Sequence, residues 1–184
     1  MGKSVMLSIL PKWCVKIICG EKTCEVRKTK PKLMPPFKCY VYASKGKERL
    51  IEVMKDGYMN FGEVYHGKNV FITVSEEGRY EIETQKIIGE FICDDIVEVT
   101  PDTLGMAVKT GILTGYSTGM QIDEFLKYMG ERCYLWHISG FKAYPRFSEK
   151  PLSDFRSFGA EDGHRMKIPP QSWCYVEEIE DERE

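Results

Sequence analysis

Gly20-Glu21-Lys22-Thr23-Cys24-Glu25-Val26-Arg27 puts two cations and two acids into eight residues, between a helical pattern and a strand pattern. Alternate side chains of a strand share a face. Thr23, Glu25 and Arg27 therefore point one way, Cys24 and Val26 the other, giving one charged and one apolar face. Lys22 stands where the chain leaves a turn at Gly20, so its long side chain reaches over the strand end toward Glu25. Two readings follow from this spacing. One is an ion pair on a sheet surface, which contributes little to stability; the other is a charged site.

Upstream, Ser4 to Leu10 reads as a strand, and Pro11 suits the first turn of a helix. Trp13, Ile17 and Ile18 form the expected apolar stripe of that helix, with Lys12 and Lys16 outside, and Gly20 ends it in a left-handed position. Downstream of the charged strand, expected over Thr23 to Lys28, Pro31, Pro35 and Pro36 prevent a helix and predict an extended connector. Phe37 to Ser44 alternates and is rich in aromatic and β-branched residues, which predicts a core strand. Ser44-Lys45-Gly46-Lys47 then reads as a basic turn, either a solvated loop or a donor of amides and lysines to a phosphate.

Leu7-Ser8-Ile9-Leu10-Pro11-Lys12-Trp13-Cys14-Val15-Lys16-Ile17-Ile18-Cys19, followed by Gly20 to Lys28, resembles the opening of ASCH domains. Their hallmark is G-x-K-x-x-E-x-R, matched at Gly20, Lys22, Glu25 and Arg27. The resemblance implies a small β-barrel related to the PUA fold and a link to RNA, with the hallmark beside a cleft suited to a nucleotide. One branch of the family is an amidohydrolase of acetylated cytidine that uses a lysine with a threonine nucleophile three residues later. This chain has Glu25 at that position, and a carboxylate does not replace a hydroxyl nucleophile in amide cleavage. Lys86 to Ile96 and the Trp136-His137-Ile138 region resemble later strands of the same barrel.

The expected fold class is α+β: a PUA-like, ASCH-type β-barrel with short flanking helices and an inserted β-rich segment. It would form a single domain over residues 1–184, with an insertion over 48–86 and an extended C-terminal segment over 145–184. Within the insertion, short strands are expected at Leu50 to Met54, Glu63 to Tyr65, Val70 to Val74 and Arg79 to Thr84. Asp56-Gly57, His66-Gly67 and Glu77-Gly78 are its turn signals. A short helix is expected from Thr100 toward Val108. A second, capped by Ser117 or Thr118, would run to Met129 with Ile122, Phe125 and Leu126 inward. Arg132 to Tyr144 reads as one long strand, with Tyr134, Trp136 and Ile138 on one face and Leu135 and His137 on the other. Pro151 to Phe155 suggests a single helical turn, and Pro169 to Val176 a final segment packed across the barrel.

With 42% hydrophobic and 29% charged residues, the composition is that of an ordinary globular protein. No apolar run approaches the roughly 20 residues of a membrane helix, so no membrane partner is expected and cytoplasm is the default address. The seven cysteines form no zinc-type spacing and are odd in number, which fits a reducing compartment. Cys14, Cys39, Cys93 and Cys133 read as small core residues. The net charge of −2 conceals an asymmetry: residues 1–50 hold 12 Lys or Arg against 3 Glu, while the remainder holds 14 against 25. A basic first third suits a short or single-stranded nucleic acid or a nucleotide, since Lys and Arg contacts to phosphate supply most sequence-independent affinity.

His66, His137 and His164 fall in unrelated contexts, and no dinucleotide, P-loop or nucleophile-elbow motif is present. No cofactor and no metal ligand are expected. In the leading hypothesis the protein binds RNA or a nucleotide through Lys22, Glu25, Arg27, Ser44, Lys45 and a stacking aromatic, Trp136 or Tyr42. Trp136 also reads as an ordinary core residue. In the alternative, a hydrolase of a modified nucleoside or RNA, Glu25 is a general base and Lys22 steadies developing negative charge. In a third, the hallmark only stabilises the fold.

Overall fold

The protein, seen here in a computed structural model, is described over residues 2–18, 20–45, 50–54, 79–109, 115–144, 150–159 and 165–179. In chain order its elements are β1 (Lys3–Ile9), α1 (Pro11–Ile18), β2 (Cys24–Arg27), β3 (Phe37–Ala43), β4 (Leu50–Met54) and β5 (Arg79–Glu83). They continue with β6 (Ile87–Cys93), β7 (Ile96–Val99), α2 (Pro101–Lys109), α3 (Ile122–Met129), β8 (Cys133–His137), β9 (Ser139–Ala143), a single 3₁₀ turn (Leu152–Asp154) and β10 (Trp173–Glu177). The expected strands at Glu63 to Tyr65 and Val70 to Val74, the three turns of the insertion, His66, His164, Gly46-Lys47 and the end of the acidic tail lie outside the described residues.

The fold is α+β. One sheet has five strands in the order β10-β1-β3-β6-β9, another has three in the order β2-β8-β7, and β4 pairs with β5. Strands β1 and β3 run parallel, as the α1 connection between them permits; the other pairs are antiparallel. Among the described residues these sheets do not join into one closed cylinder. No described helix is long and apolar enough to cross a membrane.

Three apolar layers hold the sheets together. Val5, Leu7, Cys39, Val41 and Phe91 of the larger sheet face Tyr134 and Trp136 of β8, with Cys14, Val15 and Ile17 of α1 closing one end. The opposite face of the larger sheet, with Met6, Tyr40, Ile87 and Val176, is covered by Phe155 and Met166. Cys24, Val26, Cys133 and Leu135, on the outer face of the small sheet, pack under Phe125 and Met129 of α3. Both faces of β2 are thus covered, and all four of its residues are buried.

Three local expectations change. Arg132 to Tyr144 divides at Ile138, whose N–H donates to the Thr23 carbonyl at 2.9 Å; β8 joins the small sheet and β9 the large one. Gly89 permits the second attachment, because a Cβ there would stand 2.5 Å from the Lys142 carbonyl oxygen. Helix α3 begins at Ile122 behind Gln121, with no side-chain cap. Its inward pair is Phe125 and Met129, one turn apart on one face, while Ile122 and Leu126 are exposed. In α1 the buried residues are Pro11, Cys14, Val15 and Ile17, and Trp13 is turned partly outward.

Candidate functional site

The hallmark is held from two directions. After α1, Gly20 adopts φ +74°, and the Lys22 N–H donates back to the Lys16 carbonyl at 2.9 Å. From the other side, residues 115–119 clasp the strand entrance. The Thr23 and Cys24 N–H groups donate to the Ser117 carbonyl at 2.9 and 3.0 Å. The Thr23 hydroxyl donates to Gly115 O and accepts the Ser117 N–H. Ser117 and Thr118 therefore grip β2 instead of capping α3. Lys16 Nζ donates to Gly119 O at 2.7 Å, and Lys22 Nζ to Thr118 O at 2.9 Å.

Glu25 lies opposite Trp136 in the β2–β8 register, so the charged face of β2 looks inward, toward the gap between the sheets. Lys22, Glu25 and Arg27 are only 2, 6 and 7% exposed. The surface ion pair of the sequence reading is instead a buried triad: Lys22 Nζ is 3.2 Å from Glu25 Oε2, and Arg27 Nη2 is 3.0 Å from Glu25 Oε1. Arg27 also donates through Nη2 to Ser8 O at 2.8 Å and through Nη1 to Ser172 O and Oγ, both at 3.1 Å. A guanidinium has five N–H donors; here four are directed at protein atoms, tying β2 to β1 and to the segment before β10. Arg27 Nε and Glu25 Oε2 are buried without an aligned hydrogen bond, the latter despite its ion contact with Lys22. Such groups normally find partners.

These residues line a cavity of about 600 Å³. Its charged wall is Lys22, Glu25, Arg27 and Lys45; its aromatic wall is Trp13, Tyr42 and Tyr128; Ser8, Ser44, Gln85 and Gln171 supply neutral polar groups. Ile9, Leu10, Val26, Met120, Pro169 and Pro170 complete it. The Lys22 ammonium lies 5.4 Å from the Trp13 ring centre. Burial raises the pKa of Tyr42 and of Tyr128, so both phenols are protonated donors at neutral pH. Behind β2, burial pushes the Cys24 thiol up to about 12, leaving an inert wall without thiolate character. Cys133, packed in the same layer, and Cys14, Cys39 and Cys93 in the layer between the sheets are likewise buried free thiols.

Five of the six residues expected from the sequence, Lys22, Glu25, Arg27, Ser44 and Lys45, meet at this cavity. Trp136 does not. It is fully buried, edge-on to Phe37 at 6.0 Å and tilted against Trp173 at 5.7 Å. The aromatic residues that do line the cavity are Trp13, Tyr42 and Tyr128, of which only Tyr42 was expected there. His137 stands on the other face of β8, half-buried, its Nδ1 2.6 Å from Asp94 Oδ1; it lines no part of the cavity. Among the described residues no cluster of His, Cys, Asp and Glu could hold a metal ion.

No family model matches the sequence, and no curated protein matches it. Solved structures do. The ASCH protein of Zymomonas mobilis aligns over 95% of this chain and 87% of its own, at 14% identity and TM-score 0.52. A tyrosine-to-phenylalanine variant of it aligns over 96% and 91%, at 15% identity and TM-score 0.56. A serine-to-alanine variant aligns over 95% and 88%, at 13% identity and TM-score 0.53.

The chain has the ASCH fold.

In this ASCH fold the partners that fix the hallmark come from far along the chain: Ser172 is 145 residues from Arg27, and Thr118 is 96 from Lys22. The sequence carries no local signal for either. Trp13 carried none either: its i,i+4 spacing to Ile17 put it in the expected apolar stripe of α1, whereas the structure buries Pro11, Cys14, Val15 and Ile17 and turns Trp13 partly outward onto the cavity.

Proposed function

We propose that the cavity binds a nucleotide, free or as one unit of RNA, as the ASCH resemblance of the hallmark suggests. The observation that carries this reading is the buried triad of two cations and one acid opening on a cavity with an aromatic wall. Its formal charge of +1, with Lys45 at the rim, favours an anionic group such as phosphate. Glu25 Oε2, which lacks an aligned donor, suits the amino group of a base, and Trp13 or Tyr128 offers a ring for stacking. Arg27 acts mainly by positioning Glu25, because most of its donors are held by protein.

Binding of nucleoside monophosphates, followed by NMR or thermal shift, tests the reading. Loss of one charge-assisted hydrogen bond corresponds to about 1.5–3 kcal/mol, so Lys22→Ala should weaken monophosphate binding about 10- to 150-fold. Native-like affinity in Lys22→Ala would refute it.

One observation favours a second reading: Lys22 Nζ and the Glu25 carboxylate lie 3.2 Å apart in the same cavity. In a hydrolase of modified nucleosides, Glu25 would take a proton from water while Lys22 stabilises the oxyanion. Glu25→Gln would then retain ligand and lose turnover. Absence of product from acetylated and methylated nucleosides with the native protein would count against it.

A further inference from the structure

We propose that the connector following the hallmark, with the β10 aromatics beside it, forms a second binding surface. It would carry the phosphates and bases of single-stranded RNA flanking the nucleotide in the cavity, and so rests on the nucleotide reading above. The surface starts where the cavity ends. Lys28 follows Arg27 directly, donates to Met129 O at 2.8 Å and holds its Nζ 5.2 Å from the ring centre of Tyr128, a cavity wall. Thr29 accepts the Trp173 indole N–H at 3.0 Å. Lys30 Nζ lies 5.4 Å from the Tyr134 ring centre, and the Lys32 N–H donates to the Tyr175 hydroxyl at 2.7 Å. Trp173 and Tyr175, rings 5.4 Å apart, are half-buried.

Charge pairing separates this strip from the other lysines near it. Lys12 faces Glu124, Lys16 faces Glu21, and Lys38 faces Glu90 and Glu178. Lys28, Lys30 and Lys32 are exposed, and none has a carboxylate partner among the described residues. Three uncompensated cations in five residues attract a polyanion. The partly exposed rings of Trp173 and Tyr175 beside them offer stacking to unpaired bases, which a duplex does not present. The strip ends at Lys3, which lies 3.7 Å from the Tyr175 ring centre with Glu177 opposite it on β10.

The test measures fluorescence anisotropy of a labelled single-stranded RNA of roughly ten nucleotides across about 50–200 mM salt, alongside monophosphate binding. Native protein is compared with Lys30→Ala/Lys32→Ala and with Lys22→Ala. The native protein should hold the RNA more tightly than the monophosphate. The double variant should bind the RNA more weakly and lower the slope of log K against log salt by about 1.4, at about 0.7 for each phosphate contact. Its monophosphate affinity should remain native, which also reports that the fold is intact. Unchanged RNA affinity and slope in the double variant, with monophosphate still bound, would overturn the second surface alone. Failure of native protein to bind monophosphate, or native-like binding by Lys22→Ala, would overturn the cavity reading and the continuous strand with it.

Discussion

The triad predicts an order of damage that its chemistry alone does not suggest. Glu25→Gln removes the single negative charge and leaves the Lys22 ammonium and Arg27 guanidinium, both more than nine-tenths buried, facing each other across a neutral amide. Breaking a buried pair in this way costs about 3–5 kcal/mol, because the remaining charge is uncompensated. Lys22→Met removes a cation but leaves Glu25 and Arg27 as a neutral pair at 3.0 Å. Its main loss is the donor to the Thr118 carbonyl, about 1–3 kcal/mol. For a chain of this size each kcal/mol lowers the melting temperature by about 2–4 °C. The losses are therefore about 6–20 °C for Glu25→Gln and about 2–12 °C for Lys22→Met. Phosphate or sulfate should also raise the melting temperature of Glu25→Gln more than that of the native protein, since the cluster's formal charge rises from +1 to +2. Urea denaturation and thermal melts with and without added anion measure both effects. Lys22→Met as damaging as Glu25→Gln, or a Glu25→Gln cost under about 1 kcal/mol, as for an exposed pair, would refute the buried-triad argument.

Trp13 and Trp136 should behave oppositely: Trp136→Phe lowers stability with monophosphate affinity unchanged, whereas Trp13→Ala loses about 1–3 kcal/mol of binding if a base stacks there, both measurable by titration beside melts. Gly119 has φ +68°, and a Cβ on it would lie 3.0 Å from Lys16 Cδ and 3.3 Å from Lys22 Cβ. Gly119→Ala should therefore cost about 1–2 kcal/mol from the backbone alone, and weaken ligand binding by shifting the carbonyl that orients Lys22; urea melts and a monophosphate titration check the two parts. Burial raises the Asp94 pKa, but its hydrogen bond to His137 and that ring's charge outweigh it, so the net value falls below the ordinary 3.8. A carboxylate depressed in the folded state adds stability that is complete above the unfolded pKa and disappears as pH falls through the folded one. The stability difference between native protein and Asp94→Asn should thus shrink as pH falls below 3.8, read from denaturation curves at stepped acidic pH.

Strands β1 and β3, helix α1 and the turn at Gly20 were legible because each is written locally, in an apolar or alternating run, in Pro11 and in a glycine at the helix end, while β6 was expected from its resemblance to a later strand of the barrel. The division of residues 132–144 was not, because alternation runs unbroken through Ile138 while the chain changes hydrogen-bonding partner there. The period of β2 likewise sorted its side chains correctly without saying which face is covered, and polarity suggested the wrong side as the exposed one. The deciding fact is that Cys24 and Val26 lie beneath Phe125 and Met129 of α3. Once the apolar face of a strand in the small sheet is closed by a helix, its other face must look at the large sheet. Charges there persist only when they are paired with opposite charge and keep access to solvent or ligand. Lys22, Glu25 and Arg27 meet both conditions, pairing at 3.0–3.2 Å at the wall of a cavity. The same covering of β2 excludes the purely superficial reading of the hallmark, so the proposed binding role is tested on a cluster that also carries stability. Glu25→Gln and Lys22→Met must therefore be read on both scales.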